Sequence, residues 1–411
     1  MPNELQYAKT RFCTKGQILR PEAKDRTLAE PYSPLERQRE FNIHGVLGVQ
    51  LLDAEARDVA AVRRHLGPLE EKLFREPDLV VRFVKQLPRV ASEHQALRSK
   101  GFAKDSFLPF DERAAREAAQ IAVNFDRQPC EILCRSGLRS IAVLLPILSL
   151  IALKKGYVAI HGSAFVYDGV GVVMAGPATS GKTTILLGFA SLGAEFVGDD
   201  WVLLRRDGQR MHGLPTAIEL SPQHAESSLF VRHTLGSFRR TGFDFLGAVM
   251  AMVDGSRVTF VKPAGQRIIT AIQRRIIPRV RPQHIFAKCA KSFTAKPQKV
   301  FLLVKHSDPV VQVKEIHRKE MAELLSRLAE HEQKSIMELY QTYRFAFPKC
   351  KSMFFEEVFT RQRDTLLDAV AAQETYVIRH PYPIRFADLY ETISPFFASR
   401  AREAESAALC P

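Results

Sequence analysis

Eight consecutive residues, Gly176-Pro-Ala-Thr-Ser-Gly-Lys-Thr183, follow the pattern GxxxxGK plus Ser or Thr. Val170-Gly-Val-Val-Met-Ala175 ahead of them reads as a buried strand, and Gly181 to Leu192 reads as a helix. A loop of this kind works only at such a junction. Its backbone N–H groups converge on phosphate oxygens, its glycines let the main chain approach them, and the positive end of the following helix adds to the field. The residues expected to touch a nucleotide are Gly176, Pro177, Ala178, Thr179, Ser180, Gly181, Lys182, Thr183 and Thr184. Lys182 would reach the β- and γ-phosphates, and the Thr183 hydroxyl would sit on Mg²⁺.

With 411 residues, 46% hydrophobic and 25% charged, the chain has the composition of a globular protein large enough for two or three domains. The N-terminus lacks an apolar signal core. The longest apolar run, Ile141 to Leu153, is interrupted by Pro146 and is shorter than the ~20 residues of a spanning helix. The reading is a cytoplasmic protein with a buried helix there and no membrane partner. Six scattered cysteines without CxxC pairs fit reduced thiols.

The net charge of +14 is concentrated. From Gly255 to Lys299 there are eleven Lys or Arg and no Asp or Glu. Such a stretch is a solvated face by default, with an anion-collecting surface or a nucleic-acid footprint as alternatives. No helix-turn-helix or aromatic RNA-binding motif accompanies it, so nucleic acid is not favoured as a partner.

Composition and periodicity divide the chain into a polar, proline-bearing arm (1–40), a small α/β domain (41–136), a segment carrying the loop (137–314) and a mainly helical C-terminal lobe (315–411). In the small domain, Phe41 to Val49 alternates like a strand, Ala56 to Leu66 has helical spacing, Leu79 to Val84 reads as a strand, Asp111 to Ala122 as a helix and Cys130 to Cys134 as a strand. Further on, Tyr157 begins a strand and Asp168-Gly169 signals a hairpin into the strand that feeds the loop. Arg379 and His380 read as surface residues.

Beyond the loop helix, Gly193 to Leu204 reads as one strand carrying the adjacent carboxylates Asp199 and Asp200. Neighbouring strand residues point to opposite faces, so one of the two is expected to face the loop. Phosphoryl transfer needs a carboxylate to hold Mg²⁺ and often a second one to take the proton of the attacking hydroxyl.

His161-Gly162, the loop at 176–183, Gly193 and Asp199-Asp200 stand in the order and at the spacing that resemble the catalytic domain of the bacterial HPr kinase/phosphorylase family. The resemblance is close over about forty residues and extends in outline over residues 140 to 310. It implies an α/β P-loop kinase core related to phosphoenolpyruvate carboxykinase, with a mixed sheet, and ATP and Mg²⁺ as cofactors. It also implies roles: Asp199 as base, Asp200 with Thr183 on the metal, and His161 near the γ-phosphate. The two aspartates could exchange places. Arg257, in the turn Asp254-Gly-Ser-Arg257, is a candidate for stabilising the transferred charge.

The family's members continue after the loop lysine with Ser-Glu, where this chain has Thr183-Thr184. Their later Glu-Ile-Arg-Gly-Leu-Gly-Ile segment is absent, its place taken by Leu214-Pro-Thr-Ala-Ile-Glu-Leu220. HPr is therefore not the expected acceptor. The expectation is a diverged kinase acting on a Ser or Thr of another peptide or protein, with a small-molecule hydroxyl as the alternative acceptor and, as the alternative outside catalysis, a nucleotide-gated binding protein that uses the basic 255–299 segment for nucleic acid or an acidic partner. Ring-shaped hexamers in the family make a homo-oligomer an open expectation.

Overall fold

The computed structural model describes residues 39–87, 129–220, 279–381 and 386–397, with four short strands between 94 and 122 described by their backbone. In chain order the first sheet is built from β1 (Arg39–Ile43), β2 (Leu47–Leu52), helix α1 (Ala56–Leu66), β3 (Leu79–Val84), β4 (His94–Ala96), β5 (Lys100–Ala103), β6 (Ser106–Phe107), β7 (Ala119–Ala122) and β8 (Cys130–Arg135). Its strand order is β1-β2-β3-β8-β7-β6-β5-β4. Two expectations change here. The stretch from Phe41 to Val49 is a hairpin, because His44 and Gly45 take positive φ angles and turn the chain. Residues 119–122, expected in a helix, form β7 against β8.

Helix α2 (Leu144–Lys154) carries Pro146 in its first turn, where the missing N–H has no intrahelical acceptor to lose. The second sheet follows: β9 (Tyr157–Tyr167), β10 (Val170–Ala175), helix α3 (Lys182–Ser191), β11 (Glu195–Gly198), β12 (Trp201–Arg205) and β13 (Met211–Gly213). The pair β14 (Ile218–Glu219) and β15 (Arg279–Val280) stands apart as a short ribbon. Then come β16 (Lys288–Cys289), β17 (Thr294–Ala295), β18 (Lys299–Lys305), β19 (Gln312–Glu315), helices α4 (Arg318–Ala346) and α5 (Met353–Ala369), β20 (Glu374–His380) and helix α6 (Phe386–Ile393).

The second sheet is mixed, in the order β17-β13-β12-β9-β10-β18-β20-β19. Strand β10 runs parallel to β18, and β18 parallel to β20, while β9, β12 and β19 are antiparallel to their neighbours. Side-chain alternation splits its core in two. Val172, Met174, Phe301, Leu303, Tyr376 and Ile378 face α3 and α6, whereas Val173, Ala175, Val300, Leu302 and Val377 face α4 and α5. With both faces covered, the central strands can be apolar throughout, and all six residues of β10 are buried.

The C-terminal segment is not a separate lobe. Strand β20 lies inside the second sheet, and α4, 29 residues and about 43 Å long, starts on that sheet with Met321 and Leu325 and ends in the core of the first with Ile336, Tyr340 and Tyr343. The described residues all fall in one unit, Arg37–Pro411. Residues 1–38 of the expected arm lie outside the described residues.

Helices α3 and α6 meet at Gly188. A Cβ added there would lie 2.1 Å from Cδ2 of Phe386. Gly188→Ala is therefore expected to destabilise the fold by about 1–3 kcal/mol despite its better helix propensity, because the ring must be displaced. Urea unfolding checks this, and Phe386→Leu in the same chain should return part of the loss.

Candidate active site

The loop at 176–181 leaves the carboxyl end of β10 and enters α3, the helix beginning at Lys182 after Gly181 at φ 92°. The close packing under the loop demands glycine at its start, since a Cβ on Gly176 would come within 2.6 Å of Ser180 Oγ. Pro177, Ala178 and Thr179 are exposed, Ser180 is buried, and the Thr184 side chain is buried in α3. Lys182 is also buried, and its Nζ donates to the carbonyl oxygens of Gly176 and Pro177, both at 2.8 Å. Burial lowers the pKa of this ammonium, against the opposing pull of the Asp199, Asp200 and Glu332 carboxylates.

Two contacts from neighbouring strands brace the loop from below. Lys305, at the end of β18, donates from Nζ to Thr179 Oγ1 at 3.1 Å. His380, at the end of β20, places Nε2 3.0 Å from the carbonyl oxygen of Ser180 and Nδ1 2.7 Å from that of Pro381. Arg379 is exposed as expected, but His380 is wholly buried, because the parallel β20 carries it under the loop.

The Asp pair does not lie within a strand. Strand β9 is long enough to pair β12 along its first half and β11 along its second, and Asp199-Asp200 is the step between the two. Asp200 has φ 66°, Trp201 N donates to Asp199 O at 2.9 Å and Gly162 N to Asp200 O at 3.2 Å. This three-residue turn centred on a non-glycine residue is strained. It sends the two side chains to different places. Asp199 is 3% exposed, its Oδ2 accepts from Thr183 Oγ1 at 3.3 Å, and its Oδ1 is buried without a hydrogen-bond partner among the described residues. Burial, helped by the charge of Asp200, pushes the Asp199 carboxyl up to about 8. Asp200 is exposed.

His161 is the β9 residue opposite Trp201, and the next residue, Gly162, pairs with Ala175 where the loop begins. A Cβ on Gly162 would come within 2.7 Å of Met174 O, so the two strands meet closely here. The His161 Nδ1 lies 2.6 Å from Glu332 Oε1 of α4. Sequence reasoning missed Glu332, His380 and Lys305; none belongs to a local motif.

The arrangement fits a nucleotide triphosphate and one Mg²⁺ by its donor set. A helix N-terminus follows the loop, a threonine hydroxyl stands beside a carboxylate, and one oxygen of that carboxylate is unpaired among the described residues. Mg²⁺ is held by one or two side chains with phosphate oxygens and water, and no cluster of three or more His, Cys, Asp or Glu suited to a metal occurs among the described residues. Cys130 and Cys134 are buried on β8 with thiols pushed up to about 11 and about 12 by burial, which disfavours the thiolate a metal needs.

Arg257 lies outside the described residues, as does the basic stretch up to residue 278. From there on, Arg279 pairs with Glu219 and Lys299 with Glu374, while Arg281, Lys288, Lys291 and Lys296 are exposed. Among the described residues no helix is long and apolar enough to cross a membrane. No family model matches the chain, and no curated protein matches it.

Proposed function

We propose that the chain is an ATP- and Mg²⁺-dependent phosphotransferase with a core of the HPr kinase type, transferring the γ-phosphoryl group to a hydroxyl of a peptide or protein other than HPr. The observation that carries this reading is the buried Asp199 beside Thr183 at the head of the loop helix, with the exposed Asp200 one residue on. A simple NTP-binding loop needs only the first carboxylate. The second, held outward by a strained turn, suits it to meet an acceptor.

In this reading the roles of the aspartates are exchanged relative to the first expectation from sequence. Asp199 and Thr183 hold the metal, since they already touch and Asp199 is too buried for an acceptor hydroxyl to reach. Asp200 takes the acceptor proton. When bound, Mg²⁺ neutralises charge on the β- and γ-phosphate oxygens. Lys182 leaves the carbonyls of Gly176 and Pro177 to meet those oxygens, a side-chain rotation. As the acceptor oxygen bonds to the γ-phosphorus, its proton passes to Asp200, the bond from phosphorus to the β–γ bridging oxygen breaks, and ADP leaves with that electron pair.

The test is incubation of the full chain with γ-labelled ATP and Mg²⁺ in an extract of the source cells. A labelled peptide or protein that disappears with Lys182→Ala is the expected result. Tight ATP binding with no labelled acceptor, small or large, would overturn the transferase reading and leave only a nucleotide-binding protein.

A further inference from the structure

We propose that Glu332 is the positioning residue for His161, fixing the imidazole so that Nδ1 carries the hydrogen and Nε2 presents its lone pair at the phosphoryl-transfer site; this rests on the phosphotransferase reading above. A carboxylate can only accept a hydrogen bond. At 2.6 Å from Glu332 Oε1, Nδ1 must donate, and in a neutral ring that leaves Nε2 unprotonated. The pair is half-shielded, with side-chain exposures of 18% and 28%, so water competes with the contact only in part.

The carboxylate is held in place from three sides. Leu325 and Leu328 anchor the preceding turns of α4 on the second sheet, and Ile336 anchors the following turn on the first. The neighbouring Gln333 donates to Gln362 Oε1 of α5 at 2.8 Å and to Ser149 Oγ of α2 at 3.3 Å. Those contacts set the rotation of α4 about its axis. His161 is set just as firmly, by β9 pairing on one side with Trp201 and by Gly162 against the strand that feeds the loop. The hydrogen bond lowers the Glu332 carboxyl below its usual range, which keeps it ionised beside the ring.

The cluster has a direction. Asp200 and Glu332 each lie within electrostatic reach of both His161 and Lys182. A ring orientated by Glu332 next to the exposed Asp200 can accept or return a proton at Nε2, or hold a phosphoryl oxygen through it when protonated. A contact that merely tied α4 to β9 would need the same hydrogen on Nδ1, so the ring form shows the orientation and a fall in kcat when the contact is removed shows its use in the reaction.

The experiment uses the full chain labelled with ¹⁵N-histidine, the His161 signals being identified by their loss in His161→Gln. The expected result is the Nδ1–H form in the wild type and in Glu332→Gln, whose amide oxygen still accepts, and a shift towards the Nε2–H form in Glu332→Leu. With MgATP alone as probe, followed as phosphate release, Glu332→Leu should lower kcat by about 10–100-fold with KM for ATP unchanged, as for other groups that orient a catalytic imidazole. Glu332→Gln should recover part of the rate. His161→Gln with Glu332→Leu should be no slower than His161→Gln alone.

An Nε2–H ring in the wild type, or a Glu332→Leu protein that loses stability while keeping full kcat, would overturn the proposal. A wild type that neither binds nor turns over ATP would instead overturn the phosphotransferase reading, while the ring form still decides whether Glu332 orients His161.

Discussion

Asp200→Asn is expected to lower phosphoryl transfer by about 10²–10⁴-fold while changing the affinity for MgATP by no more than about threefold. The amide has the size of the carboxylate but cannot take a proton, and the exposed side chain leaves the buried part of the site untouched. Asp199→Asn is expected to differ in kind. Its Oδ2 accepts from Thr183 and its Oδ1 has no partner among the described residues, so loss of its charge should weaken the Mg²⁺-dependent part of nucleotide binding and transfer together. Calorimetric titration of ATP with and without Mg²⁺, beside transfer rates, separates the two. If Asp199→Asn kept Mg²⁺-dependent binding and lost only rate, while Asp200→Asn lost the metal, the base would be Asp199 and the assignment made here would fall.

The difference between those variants depends on a feature that periodicity could not reveal. Gly193 to Leu204 is apolar on both sides of the Asp pair, so it reads as one strand. The break comes from β9, whose two halves pair with β12 and β11 and force a step between them. Elements whose determinants are contiguous were legible: the loop, α3, the Asp168-Gly169 hairpin, and α1 from Ala56 to Leu66. The contacts that complete the site were not, because they join distant segments. Glu332 lies 171 residues from His161, and His380 lies 200 from Ser180. Within their own elements they look like an exposed helix glutamate and a strand-end histidine. Only the path of α4 across both cores and the parallel pairing of β20 with β18 bring them in.

The buried carboxylate also predicts how the protein without metal or nucleotide responds to pH. Asp199 ionises near 3.8 in an unfolded chain and at about 8 in the fold. Between those values the native state holds a proton that the unfolded state has released, so this group's contribution to stability is full below about pH 4, falls as pH rises and is gone above about pH 8. His65 and His212 act in the opposite sense. Burial lowers both to about 4, so their contribution rises between about pH 4 and the usual histidine value of 6.5. The two effects overlap below 6.5, and above it burial of Asp200 and Lys182 adds to the pH response, so the contribution of Asp199 is isolated only by comparison with a variant that lacks its charge.

Asp199→Asn removes the ionisable group while keeping its shape. The variant is expected to match the wild type near pH 5 to within about 1 kcal/mol and to exceed it by at least ~2 kcal/mol at pH 8, since each unit of displacement is worth about 1.4 kcal/mol and the neighbouring Asp200 shares the proton. Urea unfolding at closely spaced pH values measures the difference curve. Adding Mg²⁺ and ATP should reverse the order at pH 8, because the wild-type carboxylate then has a cation to face and the amide does not. A difference curve that is flat from pH 6.5 to 8 would mean that Asp199 is ionised in the free protein. The conflict between a stable fold and a charged metal ligand would then be absent from this site.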